Sequence, residues 1–299
     1  MYVVLGASGH TGRVVANNLL ARGQKVRVVG RNAAHLQPLA AKGAETFVAD
    51  VTDSGTLTQA FHQADSAYVM IPPNPASTDP LGYSNRVSDA IAAAVQNAGT
   101  KNVVALSSIG ADKPSGTGPV VGLYNLEQKL NQISGANVLH LRAGYFMENT
   151  LPQVNAIRQM GAVSTPLRPD LKLSMIATRD IGTTAADNLL HPAVRGKQTR
   201  ELLGHRDVTY TEVASMIGQA IGKPDLKYIQ APDDQFRGVL VQMGMSEQFA
   251  RLLLEMIGAL NSGYMRALEP RTPQNTTPTS FEAFTAEYFV PAYQQQAAA

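Results

Sequence analysis

Cysteine and tryptophan are both absent from this 299-residue chain. Without thiols there is no disulfide framework, no thiolate zinc site, no iron–sulfur cluster and no cysteine nucleophile. Charge is sparse and nearly balanced, with 25 Lys and Arg against 23 Asp and Glu for a formal net charge of +2. These charges are scattered, so no nucleic-acid or anionic-membrane partner is expected. No run approaches the roughly 18 uninterrupted apolar residues that a spanning helix needs. The opening Met1-Tyr2-Val3-Val4-Leu5-Gly6 lacks a basic region and is broken at once by glycine, so it reads as a first strand rather than a leader. The six histidines (His10, His35, His62, His140, His191, His205) show no pairing with one another or with carboxylates that suggests a metal. The expectation is a soluble cytoplasmic protein without a metal.

Apolar residues make up 44% of the chain, enough for a sizeable core. Over the first two-thirds, short β-branched runs alternate with helical patterns, the mark of βαβ units. Strands are predicted at 2–5, 25–29, 45–48, 67–71, 102–106 and 137–141, with helices at 11–22, 33–42, 55–62, 81–97 and 122–133. Most of these strands are continuously apolar, as expected for a sheet buried on both faces. Gly23, Gly43 and Gly99 fall just past three helices, where a left-handed cap belongs. The fold class is therefore α/β, a doubly wound parallel sheet with a smaller mixed α/β C-terminal domain. Residues 1–143 form the first domain, and 171–192 are expected to return to it. Residues 144–170 and 193–290 form the smaller domain, and 291–299 a low-complexity, disordered tail.

The segment following the first strand carries the most chemistry. Gly6-Ala7-Ser8-Gly9-His10-Thr11-Gly12 opens a helix, and its three glycines allow a tight turn and close backbone approach. A helix N-terminus there offers free N–H groups and a positive dipole to a pyrophosphate. This strand–turn–helix setting is what separates a dinucleotide loop from a chance glycine pattern, and it makes the first domain Rossmann-type. After the second strand stands Arg31, where NAD-preferring sites place a carboxylate, and no Asp or Glu occurs between Leu5 and Glu45. A guanidinium suits a 2′-phosphate, so the expected cofactor is NADP(H). Asp50 and Val51 follow the third strand; Asp50 either accepts a hydrogen bond from the adenine amino group or shapes the turn. Asp53 and Ser54 are the better caps for the next helix.

With Gly6–Gly12, Arg31, Ser107-Ser108 and Leu141-Arg142-Ala143-Gly144-Tyr145-Phe146-Met147-Glu148-Asn149, the chain resembles the NmrA-like family, atypical relatives of short-chain dehydrogenases. Asp180-Ile181-Gly182 before a helix also fits. The resemblance covers residues 1–190 best and the remainder in outline. It implies a Rossmann domain with a smaller C-terminal domain and nicotinamide in the cleft between them. The family holds quinone and dye reductases and also a dinucleotide-binding regulator.

Short-chain dehydrogenases use Tyr-x-x-x-Lys on the helix after the fifth strand. Here Tyr124 is followed four residues later by Gln128, and Lys129 lies about 140° round the helix from Tyr124. A working Tyr–Lys pair is not expected, which leaves Ser108 and Tyr124 as weak catalytic candidates. A simple ketone would yield a basic alkoxide that needs an acid, whereas a quinone-like acceptor yields a stabilised product and needs mainly orientation. Ser107 and Ser108 either orient ligand at the strand end or satisfy the turn. Ile71 and Pro72 close the fourth strand and can pack against the nicotinamide ribose. Tyr145, Phe146 and Met147 offer an apolar platform or an interdomain core. The apolar helix around 250–260 is read as core, lid or subunit interface. The leading expectation is an NADPH-dependent reductase of an apolar or aromatic small molecule. The alternative is a redox sensor reporting to a protein partner; an epimerase or dehydratase with tightly held NAD is disfavoured by Arg31.

Overall fold

The computed structural model describes residues 1–295. Its strands are β1 (Tyr2–Leu5), β2 (Val26–Gly30), β3 (Glu45–Val48), β4 (Ser66–Val69), β5 (Asn102–Ser108), β6 (Asn137–Ala143), β7 (Tyr145–Phe146), β8 (Ala162–Thr165), β9 (Leu173–Ile176), β10 (Lys197–Leu202), β11 (Asp207–Val208) and β12 (Lys227–Gln230). Its helices are α1 (His10–Ala21), α2 (Ala33–Ala40), α3 (Ser54–Ala60), α4 (Pro80–Ala98), α5 (Val121–Asn131), α6 (Gln153–Met160), α7 (Thr178–Leu190), α8 (Tyr210–Ala220), α9 (Asp233–Gln242), α10 (Glu247–Asn261), α11 (Phe281–Phe284) and α12 (Val290–Gln295).

Seven strands pair in the order β10-β6-β5-β4-β1-β2-β3, parallel throughout. Side chains alternate across this sheet, so Val3 and Leu5 enter one layer and Val4 the other. Leu57 of α3, Ile91 of α4 and Leu126 of α5 close the first layer; Leu19 of α1, Leu36 of α2 and Ile181 of α7 close the second. Helices on both faces make this the expected doubly wound α/β fold. The strand order reverses beside β1, which places the crevice above the carboxyl ends of β1 and β4. Local signals match: Asp53 caps α3, Asp79 caps α4 with Pro80 in the first turn, and Gly99 ends α4 in the left-handed region.

The C-terminal half surrounds a third core, with small sheets β11-β9-β7 and β12-β8. Three expectations change here. Residues 197–202 become β10 and add a strand to the main sheet, because the run pairs in register with β6. Conversely, β9 joins β7 and β11, so α7 rather than 171–177 carries the chain back to the first domain. The supposed tail from 291 is helical to Gln295, where Tyr293 stacks beneath Arg158 at 4.8 Å; residues 296–299 of that expectation lie outside the described residues.

His140 of β6 is buried, its Nε2 paired with Asn131 Oδ1 at 2.9 Å and its Nδ1 without a partner among the described residues. Burial lowers its pKa to about 4, with a smaller opposing effect from Glu127. Below its ordinary pKa of about 6.5 the unfolded chain binds a proton that the fold refuses, so stability falls between roughly pH 6.5 and 4. Denaturant titrations of His140→Gln should show the loss between pH 7 and pH 4.5 reduced by about 2 kcal/mol.

Candidate functional site

The glycine loop is built for close approach. Gly6 has φ +64°, and its carbonyl accepts from Gly9 N–H at 2.9 Å. A Cβ on Gly12 would lie 2.4 Å from Gly6 O, so α1 can begin this near β1 only with glycine there. Gly9 caps α1 without a side-chain hydrogen bond and no acid occupies the first turn. The N–H groups of His10, Thr11 and Gly12 therefore stand unclaimed at the positive end of the helix dipole. Ser8, Gly9 and His10 are exposed beside them.

Thr11 does something else. Its buried Oγ1 accepts from Tyr68 OH at 2.9 Å, fastening α1 to β4, so its side chain is turned away from any ligand. Arg31 is exposed after β2 and has no side-chain partner among the described residues, because Asn32 rather than Arg31 caps α2. Asp50 Oδ1 accepts from Thr52 N and Oγ1 at 2.9 and 2.8 Å, which is the turn-shaping role. Those bonds hold its carboxyl below the ordinary value, with a smaller contribution from Arg31. Val51 is buried in the core.

Tyr83 of α4 was missed by the sequence reading. It is 9% exposed, and its hydroxyl has no hydrogen-bond partner among the described residues. Burial raises its pKa, and the charges of Arg31 and Asp50 act on it in opposite senses. An unpaired buried hydroxyl is costly unless something else satisfies it.

Beyond the loop lies a cavity of about 580 Å³ above the ends of β4, β5 and β6. Met70 joins the two regions: it lines the cavity, and its Sδ would lie 2.6 Å from a Cβ on Gly6. Ile71 and Pro72 line the same wall, as do Ser107, Ser108, Tyr145 and Phe146. Met147 is 1% exposed and belongs to the C-terminal core. The far wall is α10, through Phe249, Met256 and Leu260. Ser246, the cap of α10, fixes that helix to the loop after β4: its N–H donates to Pro75 O at 2.9 Å and its hydroxyl donates to Ser77 O. The apolar helix is thus at once core and cavity wall.

Ser107 and Ser108 differ. Ser107 Oγ donates to Glu127 Oε1 at 2.6 Å, and Glu127 is clamped by Arg142 at 3.0 and 2.6 Å. With its proton held this way, Ser107 can only accept on its cavity side. Ser108 Oγ donates to Ile109 O at 2.8 Å, satisfying the backbone while still facing the cavity. Glu127 was also missed, although a carboxylate between Leu126 and Leu130 on an apolar helix face was a signal in the sequence.

Tyr124 does not line the cavity. Lys129 pairs with Asp89 at 2.5 Å, and Asn125 bonds Asn85 at 2.8 Å, so no lysine approaches that tyrosine. Tyr124→Phe should therefore change turnover of any acceptor less than about tenfold in steady-state assays. Tyr145, by contrast, receives a hydrogen bond from Tyr210 OH at 3.2 Å, and burial raises its pKa. It holds its proton at neutral pH.

The NmrA-like family profile matches residues 2–285. Among curated proteins, an NAD(P)H azoreductase of Xenophilus azovorans is 28% identical over 278 residues, covering 92% of this chain and 93% of the relative. Among solved structures, the NADPH-dependent quinone oxidoreductase of Escherichia coli, complexed with NADPH, is 22% identical with a TM-score of 0.78, covering 99% of this chain and all of the other. The triphenylmethane reductase of a Citrobacter species is 18% identical with a TM-score of 0.81, covering 97% and 99%. Among the described residues no helix is long and apolar enough to cross a membrane, and no group of His, Asp or Glu could hold a metal ion.

Proposed function

The chain belongs to the NmrA-like family, and on that premise we propose that it binds NADP(H) and reduces a quinone-like or other conjugated small molecule by direct hydride transfer. The residues present fit the cofactor. Uncapped N–H groups of His10, Thr11 and Gly12 suit a pyrophosphate, unpaired Arg31 suits a 2′-phosphate, and the orphaned Tyr83 hydroxyl feels the charges of both Arg31 and Asp50. Bound NADPH would supply the hydride. The relatives named for azo-dye, quinone and triphenylmethane-dye reduction support this chemistry.

One observation carries the choice of acceptor. The cavity is continuous with the phosphate loop through Met70, and none of the hydroxyls at its strand ends is set to give up a proton. Ser107 is committed to Glu127, Ser108 donates to a carbonyl, and burial strengthens the hold of Tyr145 on its proton. A conjugated acceptor whose reduced form is stabilised suits such a site; an alcohol-forming ketone does not. The walls then act by orientation and by excluding water.

The test is stopped-flow absorbance of the reduced nicotinamide band of protein-bound NADPH against a panel of quinones. Oxidation well above the uncatalysed mixture is expected. Tight NADPH binding without oxidation by any acceptor would overturn the reductase reading in favour of a sensor. The cofactor preference has its own test: Arg31→Asp should weaken NADPH by about 2 kcal/mol while leaving NADH little changed, measured by fluorescence titration. Equal losses for both would refute the 2′-phosphate assignment.

A further inference from the structure

Resting on the reductase reading, the structure assigns a second subsite: Lys172 and Arg266 receive an anionic group carried by the conjugated acceptor. Three charged side chains line the otherwise largely apolar cavity, Lys172, Asp207 and Arg266. Asp207 is already neutralised, because Ser174 Oγ donates to it at 2.8 Å and Arg271 pairs with the same oxygen. Lys172 and Arg266 have no hydrogen bond, ion pair or ring contact among the described residues.

Arg200 and Lys227 of the C-terminal half also lack a hydrogen bond or ion pair among the described residues but do not line the cavity, and most of the other arginines here are committed to carboxylates. In the same half of the chain, Arg168 pairs with Asp170, Arg179 with Glu287, Arg206 with Glu212 and Glu282, and Arg237 with Asp234. Two unpaired cations at one cavity leave a local positive field beside an apolar interior. Lys172 precedes β9 and Arg266 follows α10, so both belong to the part of the wall that the Rossmann strands do not supply. A flat apolar body against Phe146 and Met256 with a sulfonate, carboxylate or phosphate at its rim matches this distribution. A guanidinium can grip such an oxyanion through paired N–H donors, and an ammonium adds a point charge.

The experiment uses protein loaded with NADP⁺, so that no turnover occurs, and follows binding of a naphthoquinone sulfonate and of the unsubstituted naphthoquinone by calorimetry. Lys172 and Arg266 are exposed, so Lys172→Ala/Arg266→Ala is expected to fold normally. It should lower sulfonate affinity by about tenfold and leave the neutral quinone within about twofold, and added salt should reproduce the loss in the unaltered protein. Equal losses for both compounds, no loss for either, or no sulfonate binding at all would overturn the subsite. Failure of hydride transfer with every acceptor would leave this binding difference untouched, so the two readings fall separately.

Discussion

Gly9→Val is expected to reduce NADPH affinity by about 3 kcal/mol, roughly 100-fold, while the protein stays folded. Gly9 has φ −84° and ψ 176°, an extended conformation that β-branched residues adopt readily. Its added Cβ would meet Gly6 O at 3.2 Å, a contact that a shift of a few tenths of an ångström relieves. The two γ-methyl groups would cover the unclaimed N–H groups of α1, and a bound pyrophosphate would lose its charge-assisted hydrogen bonds. Gly12→Ala is the contrast, since its Cβ would press to 2.4 Å against backbone and force the loop itself to move. Fluorescence titration of NADPH together with thermal unfolding checks the claim. Retained affinity in a folded Gly9→Val protein would sink the assignment of this loop.

Removing the carboxylate of Glu127 should destabilise the fold by about 3–5 kcal/mol, because it strands a largely buried guanidinium. Glu127 and Arg142 side chains are 3% and 14% exposed, and Arg142 keeps only a weak bond to Ala111 O at 3.4 Å without its partner. Burial works against the Arg142 charge, and the hydrogen bonds and charge of Glu127, with smaller contributions from Asp112 and Glu201, more than restore it. Urea unfolding of Glu127→Ala measures the cost, and a loss below about 1 kcal/mol would show that water replaces the carboxylate. The same change frees the Ser107 hydroxyl to donate into the cavity. Altered cofactor affinity in Glu127→Gln, which keeps the volume and one acceptor, would reveal this second effect apart from stability.

These two sites differ in how far they could be read from the chain. The glycine loop was legible because its requirements are local: a strand, a tight turn and a helix start within a dozen residues. Arg31 was legible as a missing carboxylate. Thr11 lies within the loop and Val51 beside Asp50 in sequence, but side-chain direction depends on what packs opposite, and Tyr68 and the α3–α4 layer take them inward. Met147 follows the same rule beside Tyr145 and Phe146. For Asp50 the structure shows the turn-shaping role, with Oδ1 holding Thr52.

By itself, then, the sequence determined the α/β class, the doubly wound order of the first domain, the glycine-lined strand–turn–helix that opens α1 and the absence of a Tyr–Lys pair. Each follows from hydrophobic period, turn chemistry or residue spacing, which act over short stretches of chain. Only the tertiary structure decided that β10 completes the main sheet and that α10 walls the cavity. It likewise decided that Arg31 and Asp50 act on Tyr83, and that Lys172 and Arg266 line one cavity. Those pairs are separated by tens of residues, and their meeting depends on burial and charge balance summed over the whole fold, which no local pattern encodes.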